Sequence, residues 1–138
     1  VMDPSLDQIG VPKLILQPLL ENCFSHGFAN SIPPYEIKVC SSVSEDAWTI
    51  RVVDNGSGFS KESLENINHQ IQRCDEDLRT NNYENKMEFG GMAIVNIYSR
   101  LKILYREQLI FKIANNESMG ATVTIGGSIP QKGMKHLV

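Results

Sequence analysis

Apolar positions along the chain recur with two different periods, and each change of period marks an element. Over VPKLILQPLLENCFSHGF, residues 11 to 28, Leu16, Leu19, Leu20, Cys23, Phe24 and Gly27 fall on one helical face. Pro12 suits a first helical turn. Pro18 lacks an amide hydrogen, so a kink, or a helix that becomes regular only beyond it, is predicted. After the break at SIPP the period drops to two. In YEIKVCSSV (35 to 43), Ile37, Val39 and Val43 point one way and Glu36 and Lys38 the other, and AWTIRVV (47 to 53) repeats the alternation. The short polar link Ser44-Glu45-Asp46 makes the two a β-hairpin. A second pair, QLIFKIAN (108 to 115) and GATVTIGG (120 to 127), is joined across NNESM, a turn rich in Asn and Ser.

Between the pairs the helical period returns. Residues 59 to 90 are polar, with seven acids against four bases, and Leu64, Ile67, Ile71, Cys74 and Leu78 step by 3, 4, 3 and 4 as one amphipathic helix. RTNNYENKMEFGG reads as a mobile loop, and a long loop inside a domain is usually functional or disordered. A further helix starts at about Met92, with Ile94, Ile97, Tyr98, Leu101, Leu104 and Tyr105 on one face. The order helix, two strands, helix with loop, helix, two strands predicts an α+β sandwich: a helical layer on a mixed or antiparallel sheet.

Bulk properties narrow the class. A chain of 138 residues with 41% hydrophobic and 21% charged residues fits one domain with a single core. There is no run of 18 apolar residues and no signal-peptide pattern at VMDPSLDQIG, so no membrane segment is expected in this piece. A formal charge of −3 without a Lys/Arg cluster argues against nucleic acid as a partner. Cys23, Cys40 and Cys74 are odd in number and form no C-x-x-C pair, which fits buried thiols in a reducing compartment.

Three stretches carry candidate chemistry. VVDNGSGFS (52 to 60) runs a strand into a carboxylate, Asp54, followed by Gly56 and Gly58, which permit a sharp turn and close approach to a flat ligand. Alone, this is equally a plain turn. FGGMAIVN (89 to 96) opens a helix with glycines, where free amides and the helix dipole favour an anion, although ordinary helix entry looks the same. Neither a P-loop nor a Rossmann fingerprint is present. Finally, Asn22, Ser25 and His26 share a helix face beside Glu21, and Asn suits a hard cation such as Mg²⁺, although a lone His is usually structural. Together the three describe a nucleotide with its base at Asp54 and its phosphates at Gly90 to Ala93.

In order and spacing these motifs resemble the ATP-binding catalytic domain of bacterial sensor histidine kinases, in the superfamily shared with gyrase-type ATPases, the heat-shock chaperone ATPase and mismatch-repair MutL proteins. VPKLILQPLLENCFSHG resembles the N box of the subfamily that includes LytS and YesM, DNGSGF the G1 box, GGMAIVNIYSRL the G2 box, and MGATVTIGGSIP the final glycine-threonine strand. The likeness covers nearly all of residues 8 to 130. It implies a Bergerat-type two-layer sandwich that binds Mg²⁺-ATP, with a lid at about 59 to 90. By the same resemblance Asn22 would coordinate Mg²⁺, with Glu21 beside it to polarise a proton or order a water. Asp54 would bond the adenine amine, Gly56, Gly58 and Phe59 would line that pocket, and Ser25, His26 and Thr122 would border the nucleotide. Gly90, Gly91, Met92, Ala93 and Ile94 would close on the phosphates, with Asn96 in the helix behind them.

The sequence departs from the family pattern in places. Ala93 stands where a second G2 glycine is common, Ser25 where many members carry Lys, and Ala121 where Thr is common. A hydrolytic relative would have Glu at the position of Pro18, which speaks against a related ATPase or serine kinase. The other alternative is a degenerate nucleotide- or partner-binding pseudokinase module. None of His26, His69 and His136 lies in a phosphoacceptor context, which in the resembled subfamily is Pro-His-Phe. The expectation is therefore one catalytic domain over residues 1 to 138, excised from a membrane-anchored receptor and lying on its cytoplasmic side. Its partners would be a dimerisation and phosphoacceptor domain of the parent chain and, through the parent, a response regulator.

Overall fold

The computed structural model describes residues 16–23, 33–80 and 93–129. Its elements are α1 (Leu16–Asn22), β1 (Ile37–Val43), β2 (Ala47–Asp54), α2 (Lys61–Arg79), α3 (Ala93–Tyr105), β3 (Ile110–Asn115) and β4 (Ala121–Ser128), with one 3₁₀ turn at Arg106–Gln108. The four strands form one sheet in the order β1-β2-β4-β3, and every pairing is antiparallel. The expected choice between a mixed and an antiparallel sheet is thereby decided. β1/β2 and β3/β4 are hairpins, β2 and β4 meet across the intervening α2, α3 and β3, and no parallel crossover occurs among the described strands.

Alternation along the strands sends one face inward. Trp48, Ile50 and Val52 on β2 meet Gly127, Ile125 and Val123 on β4, and all of them are buried. Arg51 opposes Cys40 on one side and Thr124 on the other and lies on the solvent face, near the exposed Lys112 of β3. The edge strands β1 and β3 are only partly buried, and Ile37, Val39, Val43, Phe111 and Ile113 pack against the margin of the core. Gly127 leaves room for the ring of Tyr105, which meets Trp48 edge-on at 5.8 Å.

The helical layer is built around α3, on which both α1 and α2 pack. Ile94, Val95, Ile97, Tyr98 and Leu101 are all buried, a wider stripe than a helix with a single neighbour shows. Leu104, expected on that face, is 41% exposed and its neighbour Ile103 47%, while Tyr105 of the same turn packs on the core. The amphipathic helix expected in the polar middle segment is α2, with Ile67 and Cys74 buried and Ile71 and Leu78 packed against the core. Ser60 caps its N-terminus by accepting from the Ser63 amide at 3.0 Å, and Glu62 and Arg79 sit at the ends that the helix dipole favours. The Tyr98 hydroxyl donates to Asp75 at 2.6 Å and ties α2 to α3. Burial, then that bond, pushes the phenol well above its ordinary value. Pro18 lies within α1. The expected loop beyond Thr80, up to Met92, lies outside the described residues.

Candidate nucleotide site

The site is built where β2 ends. Asp54 is buried, the last residue of the strand, and its Oδ1 accepts from the Gly56 amide at 2.9 Å and the Ala121 amide at 3.3 Å. The first bond is an Asx turn, so the carboxylate itself bends the chain out of the sheet. The second reaches β4, so the carboxylate is fixed from two sides. Cys23, at the end of α1, brings its thiol to the same group. Burial pushes that thiol up to about 12, and the charge of Asp54 and its hydrogen bond to the carboxylate push the same way. Cys23 is therefore a neutral donor to Asp54 at physiological pH. Its neighbour Asn22 is also buried, whereas Glu21 is exposed and accepts from Gln17 at 3.1 Å.

The loop from Asp54 to Phe59 is then held on both flanks. On one side Asn55 spans the start of β1, its Oδ1 accepting from the Glu36 amide at 2.8 Å and its Nδ2 donating to the Pro34 carbonyl at 2.9 Å. On the other side the β3–β4 turn supplies two amides. Asn116 Nδ2 donates to the Asp54 carbonyl at 3.1 Å and to the Met119 carbonyl at 3.0 Å, and Asn115 brackets Phe59, accepting from its amide at 2.7 Å and donating to its carbonyl at 2.8 Å. Thr122 Oγ1 donates to Asn116 Oδ1 at 2.6 Å and orients that side chain.

Two positions in this assembly require glycine. Gly58 has φ +77° and Gly120 φ +83°, in the left-handed region, and a Cβ on Gly120 would run into the Asp54 carbonyl. Gly56 is buried without a left-handed backbone. Of the two glycines singled out in the sequence, it is Gly58 that makes the sharp turn.

The fold thus gathers Asp54, Gly56, Gly58, Phe59 and Thr122 at one end of the sheet, and Asn22 is buried one residue before the Cys23 that meets Asp54. The Phe59 ring packs against the core. Ile94 is buried in the core and Asn96 is half-buried with its carbonyl accepting from Ser99, both in α3. Ala93 opens α3 in helical conformation, where alanine is the best former, so no left-handed backbone is asked of it. Ser25, His26, Gly90, Gly91 and Met92 lie outside the described residues. Sequence reasoning missed Asn55, Asn115 and Asn116 as parts of the assembly and read Cys23 as a plain apolar-face residue. The consecutive Asn pair ahead of Gly120 was the available signal, but its target lies 56 to 62 residues away.

The chain is similar in sequence and fold to several known proteins. The profile of the family described as histidine kinase-, DNA gyrase B- and HSP90-like ATPases matches residues 7–135. Sensor protein LytS of Bacillus subtilis (strain 168) is 27% identical over 134 residues, covering 97% of this chain and 20% of that protein. Sensor protein LytS of Staphylococcus epidermidis (strain ATCC 12228) is 30% identical over 125 residues, covering 91% and 19%. The chain therefore spans about a fifth of the length of the curated relatives it matches. Among solved structures, the histidine kinase domain of the Erythrobacter litoralis EL346 blue-light activated histidine kinase shares the fold at a TM-score of 0.56 and 17% identity, covering 91% of this chain and 45% of that one.

Proposed function

Since the chain belongs to the histidine kinase-, DNA gyrase B- and HSP90-like ATPase family and is an ATP-binding module of the histidine kinase kind, we propose that it binds Mg²⁺-ATP with the adenine at Asp54 and presents the γ-phosphoryl to a histidine on a separate domain of a longer parent. The observation that carries the reading is the fixed carboxylate. Asp54 is buried at a strand end, with Oδ1 engaged by two backbone amides and a neutral thiol beside it. A carboxylate fixed in this way is a preset acceptor for an exocyclic amine, which adenine has and guanine does not offer at the same position.

The residues also fit a magnesium ion that arrives with the nucleotide. The carboxamide of the buried Asn22, one residue before the Cys23 that meets Asp54, carries a single hard oxygen donor. Mg²⁺ keeps most of its shell as water and phosphate oxygens and takes one or two protein ligands, so Asn22 is the residue that would hold it. When bound, the ion neutralises charge on the phosphate oxygens. The chain's own residues bind and orient: Asp54 sets the base, and the helix start at Ala93 and Ile94 offers backbone amides towards the phosphate end. In the transfer an imidazole nitrogen of the partner domain bonds to the γ-phosphorus as the bond to the β,γ-bridging oxygen breaks, and ADP leaves. The parent is a two-component sensor kinase whose product phosphohistidine serves a response regulator, and this domain lies on the cytoplasmic side of its membrane.

Titration calorimetry with a nonhydrolysable ATP analogue, with and without Mg²⁺, tests this. Saturable Mg²⁺-dependent binding, weakened by Asp54→Asn and by Asn22→Ala, is the expected result. No saturation at millimolar nucleotide by folded wild type would overturn the reading. Supplied alone with labelled ATP, the domain leaves its own histidines unlabelled; stable label on His26 or His69 would sink the assignment of the acceptor to another domain.

A further inference from the structure

The loop that carries Asp54 runs to Phe59 and then, through the capping Ser60, into α2. Its start is gripped at the Asp54 carbonyl by Asn116 and its end at both backbone groups of Phe59 by Asn115, with distances of 2.7 to 3.1 Å. Asn116 is itself set by Thr122 and by its own amide, which donates to the Gly120 carbonyl at 2.9 Å. Asn115 has no such burial to excuse it: it is exposed, stands at the last position of an edge strand, and nevertheless spends both ends of its amide on one backbone unit across the loop. The left-handed Gly58 lies directly under it, and a Cβ there would come within 2.8 Å of Asn115 Oδ1. A side chain of any other length or polarity would miss one of the two bonds.

We infer that Asn115 is a positioning residue for nucleotide binding: its two bonds to Phe59 hold the Asp54–Phe59 loop in the binding-competent shape before any nucleotide arrives. The inference rests on the nucleotide reading above. A loop held in one conformer binds with its intrinsic affinity, whereas a loop that samples others binds more weakly in proportion to the competent fraction. Asn115 does not touch the base, so its effect on affinity comes through the population of the loop.

Two readouts separate this role from the function reading. Amide hydrogen exchange at Phe59 reports the clamp in the absence of nucleotide, and affinity for the nonhydrolysable ATP analogue reports its consequence. Asn115→Ala is expected to raise exchange at Phe59 about tenfold or more and to weaken nucleotide binding about 5- to 10-fold, the size of one or two lost hydrogen bonds. The midpoint of urea unfolding, followed through the only tryptophan, the buried Trp48, should fall modestly, as the loss of two exposed hydrogen bonds requires, with the transition still cooperative. Asn115→Asp restores the acceptor for the Phe59 amide but not the donor for its carbonyl and should fall between, and Lys112→Ala, exposed on the same strand, should change neither readout. If Asn115→Ala proves unfolded, the Asp variant carries the test by itself. Unchanged exchange at Phe59 would overturn the clamp. Faster exchange with wild-type affinity would overturn the positioning role. A wild type that protects Phe59 yet binds no nucleotide would overturn the role together with the function reading, while leaving the clamp itself in place.

Discussion

Strand β2 enters and leaves the sheet through two short polar turns that are built in opposite ways. At its entrance the turn closes largely on itself: the Ser44 amide donates to the Ala47 carbonyl at 2.8 Å, the Ser44 hydroxyl bonds both the Ala47 carbonyl and the Ala47 amide at 3.1 Å, and a single outside bond comes from the Ile129 amide to Asp46. At its exit the chain from Asp54 to Phe59 draws its partners from Pro34 and Glu36 on one side and Asn115, Asn116 and Ala121 on the other. Reversing a chain needs only local bonds. Holding one open shape at a sheet end needs bonds from segments that must themselves be ordered first, and each of those bonds must outweigh the entropy of ordering its groups. The difference makes the exit, not the entrance, the end of β2 on which the proposed nucleotide site rests.

The largest effect is expected at the exit, where the turn has no slack. Gly120→Ala places a Cβ against the Asp54 carbonyl on a backbone at φ +83°. A destabilisation of about 3 kcal/mol or more is expected from the left-handed backbone and the clash together, read as a lower urea midpoint. A midpoint within experimental scatter of wild type would mean that the β3–β4 turn moves freely and does not hold the exit. Next in size is Asp54→Asn. The amide oxygen can still accept from Gly56 and Ala121, so the fold should survive. Loss of the charged acceptor should weaken analogue binding on the order of 30- to 100-fold, about 2 to 3 kcal/mol. Full affinity in this variant would remove Asp54 from the base pocket.

What could be read from the sequence follows the same division. Period-two alternation gave both hairpins and period 3.6 gave α2 and the start of α3, because each of those patterns is set by neighbours a few residues apart. Leu104 was misplaced because a periodic pattern does not say how much of a helix face its neighbours cover. At the site, Asp54, Gly56 and Gly58 stood out as a carboxylate with bare backbone at a strand end, and Asn22 as a polar position on an apolar helix. Asn115 and Asn116 read only as turn residues. Their targets are brought within reach by the pairing of Asn115 with Ala121 and of Val53 with Thr122, which no local pattern contains. Cys23 was legible as buried but not as a donor to Asp54, for the same reason.

A smaller effect is expected on the other flank. Asn55→Ala removes the acceptor for the Glu36 amide and the donor for the Pro34 carbonyl, both at exposed backbone where water can substitute. About 1 kcal/mol of stability and a few-fold loss of analogue affinity should follow. A loss as large as that of Asp54→Asn would mean that this flank, and not the β3–β4 turn, sets the loop.

The smallest effect is expected at the entrance. Ser44→Ala deletes both side-chain bonds of the entrance turn but leaves its backbone bond, Ser44 N–H to Ala47 carbonyl, and leaves the Ile129 amide donating to Asp46 at 2.9 Å. The groups set free are exposed and hydrate, so a loss of about 0.5 kcal/mol is expected. Analogue affinity should be unchanged, because the entrance lies at the far end of β2 from Asp54 and the register between, from Val43 opposite Trp48 to Ile37 opposite Asp54, is fixed by the ladder and not by the turn. A drop in affinity after Ser44→Ala would show that strain at the entrance is transmitted along β2, and the two ends could then no longer be treated as independent parts, one that reverses the chain and one that receives the nucleotide.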